Sequence, residues 1–445
     1  MDAVISLPRR TVWDMNGYQW AVLFAAWLGW GFDLFDGQLF NYVAPNCVPT
    51  LLGLPLGSTE AKAATLQWTG ILTSVLLVGW ALGGVFFGKV ADRLGRTKTL
   101  LLTMLLYSFG TAACALAPNI WFLLFFRAAS SLGIGGEWAA GAAMVAEVLP
   151  EKRRVAAGAI LFTASPIGGF LATYITFQVT SVYFTDPSVS WRYVFLFGML
   201  PAAVALFIRL FIKEPERWKR IGEHQAVKIR ELFSPQYLRV TISGLSMAVI
   251  ALIIYWSCGA FAPVIAKGLA AQEAARTGLD AASSELMGQQ WIKIATNSIN
   301  VGGVIGALLV IPLAKIFSRR NTFLIYLIGI AVSLIASFGF GLEPQTRLYF
   351  YFLIGLTSIG IFAIFPFYIP ELFPTRIRCT GAGFTYNVGR LLASGGPFLV
   401  GSIAANGTNA LESASRVMFW LAAIAILGIV MLPWIVETKG RELVD

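Results

Sequence analysis

The stretch WTGILTSVLLVGWALGGVFF, residues 68–87, runs straight into GKVADRLGRTK, residues 88–98. The first part holds no charge over a length that, as a helix rising about 1.5 Å per residue, matches the hydrocarbon thickness of a bilayer. The core of a soluble protein usually gives shorter runs. The second part gathers Lys89, Asp92, Arg93, Arg96 and Lys98 into one polar turn. The chain therefore reads as a membrane crossing followed by an abrupt exit into water.

The pattern repeats along all 445 residues. Hydrophobic residues make up 57% and charged residues 13%, about half the charged share of a soluble protein, and mean hydropathy is +0.72. Twelve spans are expected, at 20–43, 65–88, 98–117, 120–148, 155–180, 191–213, 238–266, 288–314, 321–341, 346–369, 380–404 and 415–436. The polar segment from Lys213 to Arg239 divides them into an N-terminal six-helix half (1–213), a connector (214–238) and a C-terminal six-helix half (239–445). Residues 1–17 are polar, and the first apolar run is long and carries acids, so no cleavable leader is expected.

Basic residues set the orientation. With the first residue inside, Lys and Arg crowd the inner connections at 89–98, 152–154, 213–239, 315–320 and 376–378, and are sparse on the outer ones. The positive-inside rule then puts both termini in the cytoplasm of a multi-pass protein of the cell (inner) membrane. The same distribution explains the net charge of +10 through anionic lipid rather than nucleic acid. Cys47, Cys114, Cys258 and Cys379 are scattered without CxxC spacing, so neither a disulfide nor a metal site is expected, and no cofactor motif is present. The lone His224 lies in the connector.

The halves echo one another. Glu147-Val-Leu-Pro150 with Arg154 matches Glu371-Leu-Phe-Pro374 with Arg378, an offset of 371 − 147 = 224. Arg192 and Arg416 (416 − 192 = 224), and Arg96 and Arg320 (320 − 96 = 224), share that offset. An even number of spans per half makes this a parallel repeat around a central cavity.

Charges inside the spans are the candidate chemistry. Asp33 and Asp36 lie three apart near the middle of span 1, sharing roughly one helix face. Intramembrane acids are costly and usually functional, and a carboxyl that alternates between neutral and ionised forms carries a proton. Arg127 sits at similar depth in span 4, so a static Asp–Arg pair is the structural alternative. Glu137 is a further proton candidate, or else a carboxyl tied into helix packing. Arg390, twelve residues after Arg378, is about 18 Å into the membrane with no acid beside it in its helix. Guanidinium grips carboxylate in a bidentate way, so Arg390 is the expected substrate anchor, unless another helix supplies an acid. Asn297 and Asn300 (with Lys293) form a polar stripe on span 8; Gln38, Asn41 and Tyr255 add polar or stacking groups. Asp92 is positioned to latch helices at the inner face.

Gly88-x3-Asp92-Arg93-x-Gly95-Arg96 resembles the signature loop of the major facilitator superfamily. Arg127-x5-Gly133-x-Gly135-Gly136-Glu137 resembles its Arg/Gly-rich fourth helix, and Pro370-Glu371-Leu-Phe-Pro374-Thr-Arg376-x-Arg378, Glu214-Pro215-Glu216-Arg217-Trp218 and Glu437-Thr438-Lys439-Gly440-Arg441 resemble elements of its sugar-transporter-like members. More narrowly, Gly31-Phe32-Asp33-x-x-Asp36, Gly135-Gly136-Glu137-Trp138 and Gly383-Phe384-Thr385-Tyr386-Asn387-Val388-Gly389-Arg390 are similar to sialate–proton symporters and their aromatic-acid and monocarboxylate relatives. Span 7 lacks the histidine of the lactate/pyruvate branch.

The resemblance implies an all-α integral membrane protein of twelve transmembrane helices in two six-helix halves, and a transporter rather than an enzyme. It implies proton-coupled symport of a small organic anion, such as a carboxylate or sialic acid, by alternating access. A proton-driven drug or sugar transporter is the alternative. Proton coupling is expected from Asp33, Asp36 and Glu137, with Asp36 in the position that pairs with Arg127. Substrate binding is expected from Arg127, Arg390, Asn297, Asn300, Tyr255, Gln38 and Asn387, and gating from Asp92, Arg93, Arg96, Glu147, Glu371 and Arg378. The expected partners are the anion, protons and the lipid bilayer, with the protein a monomer.

Overall fold

The computed structural model describes residues 15–148, 154–201, 203, 229–374, 377–407 and 409–439. Among these residues there are helices, turns and connectors and no strand. Twelve helical passages follow in order: α1 (Gly17–Leu52), α2 (Thr59–Leu94), α3 (Arg96–Cys114), α4 (Ile120–Val148), α5 (Arg154–Phe162 and Ala164–Gln178, closing in a wide turn Val179–Tyr183) and α6 (Ser190–Leu196, continued by Phe197–Met199). After the connector come α7 (Leu238–Thr277), α8 (Ala281–Ile316), α9 (Arg319–Phe338), α10 (Pro344–Ser358, a tighter Gly360–Ile364, then Phe365–Glu371), α11 (Arg378–Ala393 and Gly395–Ala405) and α12 (Ala410–Met431 and Leu432–Trp434). Eight of these are, taken alone, long and apolar enough to cross a membrane. The proposed boundary between halves at 213–214 lies outside the described residues.

Helix ends follow from local chemistry. Asn16 caps α1 by accepting from Gln19 N, and Gln19 reaches back to Asn16 N. Ser58, Asp280, Ser318 and Asn409 cap α2, α8, α9 and α12, each side chain accepting from the backbone N–H three residues on. The outer connection between α7 and α8 differs from expectation. The expected spans stop at 266 and resume at 288, yet both helices run on and meet at a tight turn. Gly278, at φ 69°, ends α7 in the left-handed region that glycine favours, and Asp280 starts α8. The alanine-rich 269–276 segment favours helix strongly enough to carry α7 beyond its apolar length.

Lipid is as apolar as leucine, so helices inside a membrane associate through close backbone packing rather than through the hydrophobic effect. The contact between α2 and α4 shows this. A Cβ placed on Gly83 would come within 2.0 Å of the Leu132 carbonyl oxygen, and one on Gly135 within 2.0 Å of the Trp80 carbonyl oxygen. Gly302 and Gly306 let α8 meet α10 equally closely, a structural echo of the sequence repeat. Large apolar side chains such as Phe86, Phe125, Trp121 and Leu399 remain exposed on the perimeter, where a bilayer covers them. The halves meet where α2 packs on α11, α5 on α8 and α1 on α7.

Gly83→Val forces apart two backbones in contact and is expected to cost about 3 kcal/mol or more. Fluorescence-detected size exclusion of solubilised protein should show loss of the monodisperse peak, whereas Gly88→Ala, which faces open space, keeps it.

Candidate functional site

Polar groups stack in layers along the bundle axis. At the outer end, where α1 finishes and α7 meets α8, Lys267 pairs with Glu285 at 2.8 Å. Asn46 of α1 donates to Glu285 at 3.0 Å and accepts from Lys267, while Gln289 donates to Glu285 at 2.9 Å. Thr180 of α5 donates to Gln289, and Thr173 to Thr296 of α8. The ion pair belongs to the C-half; the N-half contributes only neutral partners. The roles of Lys267 and Asn46 were not foreseen.

Below this network lies a cavity of about 20 Å³, lined by Gln38, Tyr42, Ser165, Tyr255, Thr296 and Asn300 among others. Its polar groups are neutral. Three expected binding residues, Gln38, Tyr255 and Asn300, converge there; Asn297 does not line it. A space that small holds about one water molecule, so this is a closed arrangement. An aromatic layer shuts the inner side: Phe162 of α5 stacks on Phe362 of α10 at 5.9 Å, Trp30 meets Phe162 at 5.4 Å, and Tyr255 meets Phe362 at 5.2 Å.

Beside the cavity are the buried charges. Arg127 donates to Asp36 at 2.9 Å and to the carbonyls of Asp36 and Gly37 at 3.3 Å, with both side chains at most 1% exposed. The expected α1–α4 pair is thus formed, which engages Arg127 and takes it out of the cavity lining. Asp33, one helical turn earlier and 1% exposed, has neither carboxylate oxygen hydrogen-bonded. Glu137 lies against the backbone of Gly29, and its Oε2 has no hydrogen-bond partner. Glu137, Asp36 and Arg390 are the charges that act on Asp33.

Arg390 is 3% exposed. Its guanidinium sits 4.4 Å from the Trp80 ring centroid and 4.8 Å from that of Tyr386, and donates to Asn387 Oδ1 at 3.2 Å. Among the described residues no carboxylate pairs with it within ion-pair distance, and its Nε has no hydrogen-bond partner. Trp80 meets Trp256 edge-on at 5.5 Å, and Trp256 meets Tyr255 at 5.3 Å, so an aromatic partition joins Arg390 to the cavity wall. Asn387, expected to touch substrate, accepts from Arg390. Trp80 and Tyr386 were not expected as site residues. Only the apolar character of α2 marked Trp80, and Tyr386 stood inside a quoted motif.

Of the gating candidates, the side chains of Asp92, Arg93, Arg96, Glu147 and Arg378 lie outside the described residues. Glu371 accepts from Arg319 at 2.9 and 3.2 Å and from Thr438 at 2.5 Å. The chain's end then clips the α8–α9 turn. Glu437 accepts from the backbone N–H groups of Arg319, Arg320 and Lys439 at 2.9–3.0 Å, placing an anion at the N-terminus of α9. Lys439 Nζ donates to the carbonyls of Lys315, Ile316 and Phe317, placing a cation at the C-terminus of α8. The inner latch of the C-half therefore takes its acids from α10 and the C-terminal segment, since 312–321 contains none.

The chain matches the description "Major Facilitator Superfamily" over residues 20–289 and "Sugar (and other) transporter" over 236–439. A probable 4-methylmuconolactone transporter of Cupriavidus pinatubonensis is 28% identical, covering 94% of this chain and 90% of the relative. The sialic acid transporter NanX of Escherichia coli is 27% identical, covering 87% of each. A gentisate transporter of Corynebacterium glutamicum is 25% identical over 90% of this chain and 85% of its own. Among solved structures, a D-xylose–proton symporter superposes with a TM-score of 0.77 at 16% identity, over 96% of this chain and 100% of that one.

Burial would raise the Glu437 carboxyl, but the N–H donors of Arg320, Lys439 and Arg319 outweigh it and hold the group below its ordinary 4.5. A carboxylate held low gives stability that is complete above its unfolded value and lost as pH falls through the folded one. The melting temperature of solubilised protein should therefore be flat near neutrality and drop below about pH 4.5. Glu437→Gln should melt lower at pH 7 and show a shallower acid drop.

Proposed function

Because the chain belongs to the major facilitator superfamily and is a multi-span transporter, we propose that it carries a small organic carboxylate together with a proton by alternating access. The observation that carries this reading is Arg390: a buried guanidinium held between two aromatic rings, with no carboxylate paired to it among the described residues. A buried charge without a counter-charge is expensive, and a bound carboxylate supplies one in bidentate geometry. The relatives' named cargoes, sialic acid and gentisate among them, carry or readily form such a group. The aromatic rings around Arg390 and the neutral polar set of Gln38, Tyr255 and Asn300 would hold the remainder of the molecule once the cavity widens. Asn387 keeps Arg390 aimed.

Coupling follows from Asp33. In the empty carrier the Asp33 carboxyl, when ionised, would be a counter-charge for Arg390, since no carboxylate pairs with that guanidinium among the described residues. A substrate carboxylate arriving at Arg390 takes over that role and leaves Asp33 as an unpartnered buried anion. Taking up a proton removes that cost, so substrate and proton bind favourably together, and linkage makes the effect reciprocal. Glu137 shares the proton-holding environment of Asp33. Asp36, expected among the proton carriers, is engaged by Arg127; its proton exchange would come later in the cycle, when α1 and α4 shift. The network Asn46–Lys267–Glu285 closes the outer side and the aromatic layer the inner side. The distribution of Lys and Arg supports a protein of the inner membrane with both termini cytoplasmic.

A second reading, transport of a neutral sugar, is favoured by one observation: the cavity lining is polar and uncharged. Proteoliposomes with an imposed pH gradient separate the two, using labelled benzoate, nicotinate, sialate and xylose. Arg390→Ala should weaken carboxylate uptake about 10- to 100-fold, the worth of one or two charged hydrogen bonds; xylose accumulation unaffected by that change would support the sugar reading instead. Asp33→Asn should abolish gradient-driven accumulation while keeping carboxylate exchange between equal pools. Full gradient-driven accumulation in Asp33→Asn would remove Asp33 from the coupling mechanism.

A further inference from the structure

At the rim where α7 ends and α10 and α12 begin, away from the central cavity, lies a second cavity of about 540 Å³. Its polar side holds Arg347, near the start of α10, and Arg416, in the second turn of α12, beside Glu412, Gln272 and Asn409. The N-termini of both helices open toward it, and helix N-termini favour anions. Arg347 Nε is buried and has no hydrogen-bond partner. Arg416 is tied to Glu412 at 3.0 Å, but both are well exposed, at 69% and 63%. Such a surface pair is worth less than about 1 kcal/mol and yields readily to a better anion. Opposite the arginines stand Leu269, Phe338 and Phe419. On the perimeter next to this mouth, Phe340, Tyr349 and Trp420 are 60%, 57% and 63% exposed, the type of aromatic residue that sits at a bilayer's headgroup level.

We propose that this cavity binds the phosphate and upper acyl segment of a glycerophospholipid. The arginines and the two helix ends meet the phosphodiester, the apolar wall meets the hydrocarbon, and the flanking aromatics place both at interface depth. A free phosphate or small organic anion would satisfy the polar side alone and leave the wall of Leu269, Phe338 and Phe419 without a partner. The bound lipid would brace α7, α10 and α12 where they meet at the rim.

Native mass spectrometry of the detergent-purified full chain, titrated with phosphatidylglycerol, tests the assignment. The unmodified protein should retain a phosphatidylglycerol that Arg347→Gln/Arg416→Gln loses, with apparent affinity falling at least about tenfold. Lys62→Gln, which removes a charge elsewhere on the same rim, should keep it. Leu269→Trp, which fills the apolar side and leaves both arginines, should lose it too; this covers the case in which the double variant folds poorly. Retention by both the double variant and Leu269→Trp would overturn the proposal. So would equal loss in Lys62→Gln, or displacement by glycerol 3-phosphate at the concentration at which the lipid binds, which would mark a site for free anions.

Discussion

A charge inside a bilayer has to be neutralised, and two arginines stand inside this bundle. Arg127 has its carboxylate, Asp36, at 2.9 Å, and two backbone carbonyls besides. Arg390 has two aromatic faces and an amide oxygen. A cation–π contact contributes about 2 kcal/mol when desolvated, far below the cost of burying an unpaired ion. The difference between the two arginines organises the rest. One fastens α1 to α4; the other leaves a place where an anion is wanted, with Asp33 close enough to feel its field.

The way the halves meet suits movement. Among the described residues, the ion pairs at the inner face of the C-half (Arg319–Glu371) and at the outer rim (Lys267–Glu285) each close within one half. Among the described residues, contacts between halves include hydrogen bonds of neutral groups, such as Ser74 to the Ser394 carbonyl, neutral side chains bonded to one half's ion pair, such as Asn46 to Glu285, and ring contacts such as Phe162 on Phe362. Net values of about 1 to 3 kcal/mol for such hydrogen bonds let the interface open on one side and reform on the other without separating the paired charges. Within each half, glycine-mediated backbone contact keeps the six helices together as they move.

Much of this was legible in the sequence because a bilayer makes strict demands. Apolar runs of fixed length gave the spans, and α4 occupies the expected residues. The pairing of Asp36 with Arg127 could be anticipated because charges at matching depth in two spans have few other partners. What was hidden came from residues without periodic signal. Trp80 is one apolar residue among many in α2, and only the approach of α11 turns it into a face for Arg390. Asn46 and Glu285 lie 239 positions apart and meet only because α8 begins earlier than its apolar length suggests. Arg127 and Asn387 were expected to bind substrate; in the structure Asp36 engages the first, and the second accepts a hydrogen bond from Arg390.

The central claim is that a carboxylate at Arg390 and a proton at Asp33 bind as one event. Calorimetric titration of a transported carboxylate into purified protein, run at one pH in buffers of different ionisation enthalpy, counts protons taken up per anion bound. The account predicts uptake of about one proton per carboxylate for the unmodified chain, falling toward zero in Asp33→Asn while binding persists. Carboxylate binding without proton uptake in the unmodified chain, or the same uptake in Asp33→Asn, would contradict it.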